Sequence, residues 1–295
     1  MMMLTLLQEA TPDIGEVVLH HTADAYGWGL GEAFPSMNFH WGRFLPDLHI
    51  GGFTVNLTPT RHVLFLVIAA VLVFITMRAT GRSLRRAQAA GRAPSGFGGA
   101  MEAIVNFVRE DIAISNIGHD GAKYAPFVMT LFFFILYCNL LGLIPMGTTP
   151  TGNVAVTGAL ALVSLMVIEI SGMAKLGPRG YMRTIFPKVP GMEGAGGVVM
   201  SIAMAPIEII SKFVKPFALC VRLFGNMTAG HFVILSLLGL IFLFGHLQFW
   251  NIGIGIATAA LVTCIMMLEL FVAFLQAYVF ALLTAVFIGL MQHEH

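Results

Sequence analysis

Within one long apolar stretch of this chain, residues 207–231 carry Glu208, Lys212, Lys215, Arg222 and His231, with uncharged, largely aliphatic sequence before and after them. No position is less tolerated by a chain that folds in lipid: an arginine at the bilayer centre costs about 3 kcal/mol on insertion scales and more in simulations. An ionisable group so placed is by default a candidate functional residue. At 100° per residue, Glu208, Ser211, Lys215, Arg222, Asn226 and Ala229 fall on one helical stripe less than a quarter-turn wide, while most of the remaining circumference is Ile, Val, Leu and Phe. Arg222 is the strongest candidate. Lys212 and Lys215 also have the simpler reading of side chains that snorkel to an interface.

Composition decides the class. Over 295 residues, 57% are hydrophobic and 11% charged, and the mean hydropathy is +0.85, which excludes an ordinary soluble domain and points to a polytopic membrane protein. The formal net charge of +1 gives no reason to expect nucleic-acid binding. No GxxxxGK[ST] phosphate loop occurs, so any nucleotide chemistry belongs to a partner. Cys138, Cys220 and Cys264 lie in apolar runs without CxxC spacing and read as packed thiols. No cofactor and no metal site is expected.

The first 57 residues contain no run that could span a bilayer, and MMMLTLL lacks the basic flank of a signal peptide. They form an external segment, read as aromatic-rich loop; His20, His21 and His40 match no metal-ligand spacing. Residues 58–295 form the integral membrane domain. Thr58 and Pro59 suit an N-cap and first helical position, opening a span at about 60–79 that ends in Arg78, Arg82, Arg85, Arg86 and Arg92. By the positive-inside bias that end is cytoplasmic and the N-terminus is outside. Over about 97–114, Phe97, Met101, Ile104, Val105, Val108 and Ile112 oppose Glu102, Asn106, Arg109 and Glu110, the pattern of an amphipathic helix on the membrane surface or packed against other subunits. Spans follow at about 125–144 and 154–174, separated by Pro145 and the turn-rich GTTPTGN. The second ends in Lys175, Arg179, Arg183 and Lys188, with Glu169 expected to reach the interface beside Lys175. Two long apolar blocks complete the chain, about 197–244 and 252–291. Each is roughly twice the hydrocarbon thickness if helical throughout. Pro206 and Pro216 could kink the first block, but no strong turn signal breaks either, so two tilted helices forming a hairpin within the membrane are favoured over four short spans. In the last block Glu269 and Gln276 share a face. A lone Gln is often a packing amide, whereas a buried carboxylate must find a partner or keep its proton.

The run RLFGNMTAGH from Arg222 to His231, with ELFVAFLQAY from Glu269 onward, resembles the a-subunit family of F-type ATP synthases. The likeness extends through Glu208, Lys215, Pro216 and the turn at 145–157, and covers about residue 58 to the C-terminus. It implies an all-α polytopic fold: one upright N-terminal span, a surface amphipathic helix, an upright helical pair and two long tilted helices. It implies a stator that faces a rotating ring of c subunits, is held by b-type peripheral stalk subunits, and offers protons two offset half-channels in a bacterial inner membrane. Arg222 matches the essential arginine of the family, Asn226 and Gln276 polar channel or ring-facing positions, and Glu208 an acidic position toward the cytoplasmic half-channel. One departure stands out. Many bacterial members carry Glu where this chain has His231 and His where it has Glu269, an exchange implying that the two side chains act together in the outer half-channel.

Two other classes compete with that reading. A self-contained ion transporter often shows paired repeats with broken helices, and no clear internal repeat is present. A purely structural scaffold would use its charges only to fix helix register, and would tolerate Arg222→Gln.

Overall fold

In the computed structural model of the chain, the described residues are 27–28, 39–40, 47–50, 53–56, 58–91, 96–144, 147–186, 195–244 and 251–293. His20, His21, Arg92, Pro145 and Lys188 lie outside them.

Two small antiparallel hairpins occupy part of the N-terminal segment, where the aromatic-rich composition suggested loop. β1 (Gly27–Trp28) pairs with β2 (Phe39–His40). β3 (Asp47–Ile50) pairs with β4 (Phe53–Asn56) in the register Asp47↔Asn56 to Ile50↔Phe53. The signal for the second lies in DLHIGGFTVN, where β-branched and aromatic residues flank a Gly-Gly pair.

Among the described residues beyond 58, all regular structure is helical. Helix α1 runs over Arg61–Ala89. It starts later than the Thr58-Pro59 signal implies: Leu64 N–H donates to Thr60 O at 3.1 Å, so Thr60 supplies the first helical acceptor. It also continues past Arg78, Arg82, Arg85 and Arg86. Arg, Leu, Ala and Gln are good helix formers, and hydropathy marks where an apolar span ends, not where a helix does.

Helix α2 (Phe97–Asn106) passes directly into a π-helical segment, Phe107–Ile114, and a last α turn, Ser115–Ile117. The π segment leaves carbonyls out of the regular ladder, and Asn116 Nδ2 donates to the carbonyls of Asp111 and Ile112 at 3.1 and 2.9 Å. Gly118, at φ 84°, ends the run in a conformation that disfavours a side chain. Of the apolar face, Met101, Val108 and Ile112 are buried and Phe97 is exposed, while Asn106, Arg109 and Glu110 face out.

Helix α3 (Gly121–Leu143) contributes much of the core, with Val128, Phe132, Phe133 and Ile135 almost fully buried. A 3₁₀ turn at Pro150–Gly152 leads to α4 (Val154–Ile185), which is broken at Gly177 (φ 69°, ψ 172°) just before Pro178. Helix α5 spans Ala195–Phe244 and α6 spans Asn251–His293. Both are continuous, so the two-helix reading holds against four short spans; Pro206 and Pro216 stay within α5. Among the described residues, five helices are long and apolar enough to cross a membrane.

The chain divides into two compact units. The first comprises residues 1–69, 138–153 and 224–274; the second comprises 70–137, 154–223 and 275–295. In the second, the surface helix packs on the end of α6: Phe107 stacks on Tyr278 with centroids 5.8 Å apart. Gly289 lies so close to the Asn116 backbone that an added Cβ would overlap the carbonyl oxygen and sit 3.2 Å from its carbon. Gly289→Val should therefore lower stability by about 1–3 kcal/mol, the usual cost of overpacking against backbone that cannot rotate away. The check is the thermal midpoint of the detergent-solubilised complex, and an unchanged midpoint would show that this contact gives way freely.

Lys175 donates to Asp120 at 2.5 Å. That bond holds the Asp120 carboxyl below its usual range. Its contribution to stability is present above the unfolded carboxyl value and is lost as pH falls through the lower folded value. Glu169, expected to reach the interface beside Lys175, has its own partner, Lys212.

Candidate functional site

The candidate residues fall into two polar sets, one in each unit. In the second unit, Glu169 of α4 accepts from Tyr181 Oη and lies 3.5 Å from Lys212 Nζ of α5. Lys212 also donates to Thr184 Oγ1 at 3.1 Å and sits 4.4 Å above the Tyr181 ring. Twelve residues of straight helix would separate Glu169 from Tyr181 by about 18 Å, so the break at Gly177 is what lets the two side chains meet. The snorkelling alternative for Lys212 is thus replaced by a partly buried network, its side chain 11% exposed. Lys215 lies 5.2 Å from the Phe287 ring centroid, a cation-π contact.

Arg222 stands apart from these pairings. It is exposed, and no hydrogen bond, ion pair or ring contact engages it among the described residues. Its helix buries Leu219, Cys220 and Leu223 on one side and exposes Ile210, Val214, Phe217 and Val221 on the other. Arg222 thus projects from the edge of an uncovered apolar face. Glu208, earlier on that helix, is half-exposed and also without a partner among the described residues. Gln276 of α6 is buried, as a packing amide would be.

The first unit holds His231 and Glu269. The glycine before the histidine, Gly230, receives the Glu269 carboxyl: an added Cβ there would overlap Oε1 and lie 2.8 Å from Cδ. The Glu269 carboxyl of α6 thus lies against α5 one position before His231, and no hydrogen bond joins the two side chains among the described residues. Among the described residues, Glu269 Oε2 and Thr228 Oγ1 are buried without a hydrogen-bond partner. His231 Nε2 is hydrogen-bonded to Thr149 Oγ1 at 2.7 Å. Nearby, Thr151 Oγ1 donates to Asn139 Oδ1 at 2.8 Å, and Asn139 Nδ2 donates to the Ala273 carbonyl at 3.2 Å. Asn226 is exposed on α5 and has a partner.

Sequence reasoning named Arg222, His231, Glu269, Asn226, Gln276 and Glu208 but gave no role to Thr149, Thr151, Asn139 or Gly230. The turn composition of GTTPTGN concealed the threonines, since Thr beside Pro and Gly reads first as loop chemistry. Gly230 had a usable signal: a small residue inside a membrane helix marks a close approach.

The amino-acid sequence is similar to that of known proteins. The sequence model of the family described as ATP synthase A chain matches residues 63–289. The ATP synthase subunit a of Chloroherpeton thalassium is 41% identical over 277 residues, covering 94% of this chain and 77% of the relative. ATP synthase subunit a 2 of Chlorobaculum tepidum is 40% identical, with 94% and 72% covered. The subunit a of Myxococcus xanthus is 41% identical, with 90% and 83% covered. A match that runs from α1 into α6, with most of each relative's length covered, means that the chain belongs to the ATP synthase A chain family.

Proposed function

We propose that this multi-pass membrane protein is the proton-conducting stator of a rotary F-type ATP synthase in a bacterial inner membrane, with Arg222 as a fixed positive charge against a ring of c subunits. The observation that carries this reading is the exposed guanidinium of Arg222, unpartnered among the described residues, beside the uncovered apolar face of α5. A charge in that setting needs a counter-charge from outside the chain, and a ring of apolar hairpins with a carboxyl at each step would cover the face and supply it. The stator would itself be anchored by b-type stalk subunits.

Arginine does not carry the proton, because its guanidinium stays protonated at any physiological pH. It acts on the proton carried by the ring. At 4 Å and an effective dielectric of 20, the attraction between Arg222 and a ring carboxylate is about 4 kcal/mol, equivalent to roughly three pKa units. A protonated ring carboxyl arriving there gives up its proton into one half-channel. After passing, it takes a proton from the other before it re-enters lipid, where a bare charge is costly. Each charge that crosses contributes about 2.3 kcal/mol per 100 mV, so several crossings are required for each ATP made elsewhere in the complex.

His231 and Glu269 are proposed for the outer half-channel, Glu208 for the inner one, and Asn226 and Gln276 as polar positions along the way. The arginines that end α1 support a cytoplasmic location for that end. On this reading, with five spans, the N-terminal segment is outside and the C-terminus inside, and the Pro150–Gly152 turn with Thr149 lies on the outer side.

Reconstitution tests the reading directly. Liposomes holding this chain alone should conduct no protons above background, whereas liposomes holding the whole complex should acidify on ATP addition. Conduction by the isolated chain would replace the stator with a self-contained transporter.

A further inference from the structure

Among the contacts that no channel role yet explains, the hydrogen bond between Thr149 and His231 is the most constrained. Thr149 is buried, lies in extended conformation (φ −80°, ψ 110°) and immediately precedes the 3₁₀ turn. Its carbonyl accepts from Gly152 N–H at 3.0 Å, which closes the turn. Two residues on, Thr151 is tied to Asn139 of α3, and Asn139 in turn to the Ala273 carbonyl of α6. The turn is thereby fixed to two helices, and the Thr149 hydroxyl is not free to follow the imidazole if the ring moves. The fit from below is equally tight. Gly142 of α3 packs under Thr149 so closely that an added Cβ would overlap Oγ1 and lie 2.6 Å from Cβ and 3.1 Å from Cα.

We infer that Thr149 is a positioning residue for His231: its hydroxyl holds Nε2 in both protonation states of the imidazole and leaves Nδ1 to take up and release the transferred proton. The chemistry favours a hydroxyl. A threonine side chain has one O–H donor and two acceptor lone pairs. Because the transferred proton enters and leaves at Nδ1, Nε2 keeps its hydrogen in both states of the ring, and the neutral hydroxyl accepts from Nε2–H throughout. A carboxylate would favour the charged ring and an ammonium the neutral one; either would bias the group that must cycle between them. The proton entering at Nδ1 and the proton leaving from Nδ1 are the same, so no net charge accumulates on the pair. Gly142 and Asn139 serve this arrangement indirectly, one by making room for Thr149 and the other by holding its turn.

The inference rests on His231 carrying protons, and the experiment separates the two claims. ATP-driven proton pumping is measured in inverted vesicles holding the intact complex, with subunit content checked by immunoblot, for the parent, Thr149→Val, Thr149→Ser and His231→Gln. Thr149→Val keeps the shape and loses the bond, and its pumping rate should fall about tenfold, the scale of one lost hydrogen bond. Thr149→Ser retains the hydroxyl and should recover the rate to within about twofold of the parent, a recovery the same principle predicts. Equal rates for Thr149→Val and Thr149→Ser, or a parental rate for Thr149→Val, would overturn the positioning role while an impaired His231→Gln left the proton path standing. A parental rate for His231→Gln would instead remove the proton-carrying role of His231, and the positioning role with it.

Discussion

Arg222→Ala is expected to abolish ATP-driven proton pumping in inverted vesicles, by on the order of 10²-fold or more, while the complex stays assembled. The size follows from the single interaction that no other described side chain replaces. Without the guanidinium, a ring carboxyl that arrives protonated has no reason to release its proton at that point, and nothing stops a proton passing unchanged from one half-channel to the other. Assembly should survive because Arg222 is exposed and engages no described residue, so its removal leaves neither a cavity nor an orphaned charge. Arg222→Lys should recover only part of the rate, because an ammonium on a flexible stem replaces the planar fork with a mobile point charge. Pumping at the parental rate by the alanine variant would make Arg222 structural and end the fixed-charge mechanism.

The second large effect is expected at a residue with no chemistry of its own. Gly230→Leu should assemble normally yet lose on the order of tenfold to hundredfold in pumping, the scale on which an ångström of misplacement acts on a reacting group. Gly230→Ala should fall between this variant and the parent. The reason is where the clash falls. An added Cβ meets the Glu269 side chain, not backbone, so the helices need not part; the carboxyl turns away and leaves its place over Gly230. This contrasts with Gly289, where the clash is with the Asn116 backbone and the expected cost is stability. If Gly230→Leu pumps normally, the location of the Glu269 carboxyl over Gly230 has no part in proton transfer.

The residues themselves determined the class of this protein and the order of its elements. Apolar runs of a length that a bilayer explains pointed to the helices, because that signal follows from the local transfer energy of short segments. Arg222, Glu208, His231 and Glu269 were legible for the same reason: charge in an apolar run is conspicuous without knowledge of what surrounds it. Helix ends were less legible. Backbone propensity, which carries α1 on to Ala89, and caps such as Asn116 and Gly118 operate where hydropathy says little.

Only the tertiary structure decided the partners. Thr149 and His231 are 82 positions apart, Asn139 and Ala273 are 134 apart, and nothing in either local sequence encodes the other. Glu169 belongs with Tyr181 and Lys212 rather than with Lys175 because a break at Gly177 redirects the chain. Gly142 and Gly230 matter for what they omit, and an absent side chain acquires meaning only once a second helix or turn has come to lie against it. Burial in lipid is a property of a segment, readable along the chain; a hydrogen bond is a property of a pair, and exists only after the chain has folded back on itself.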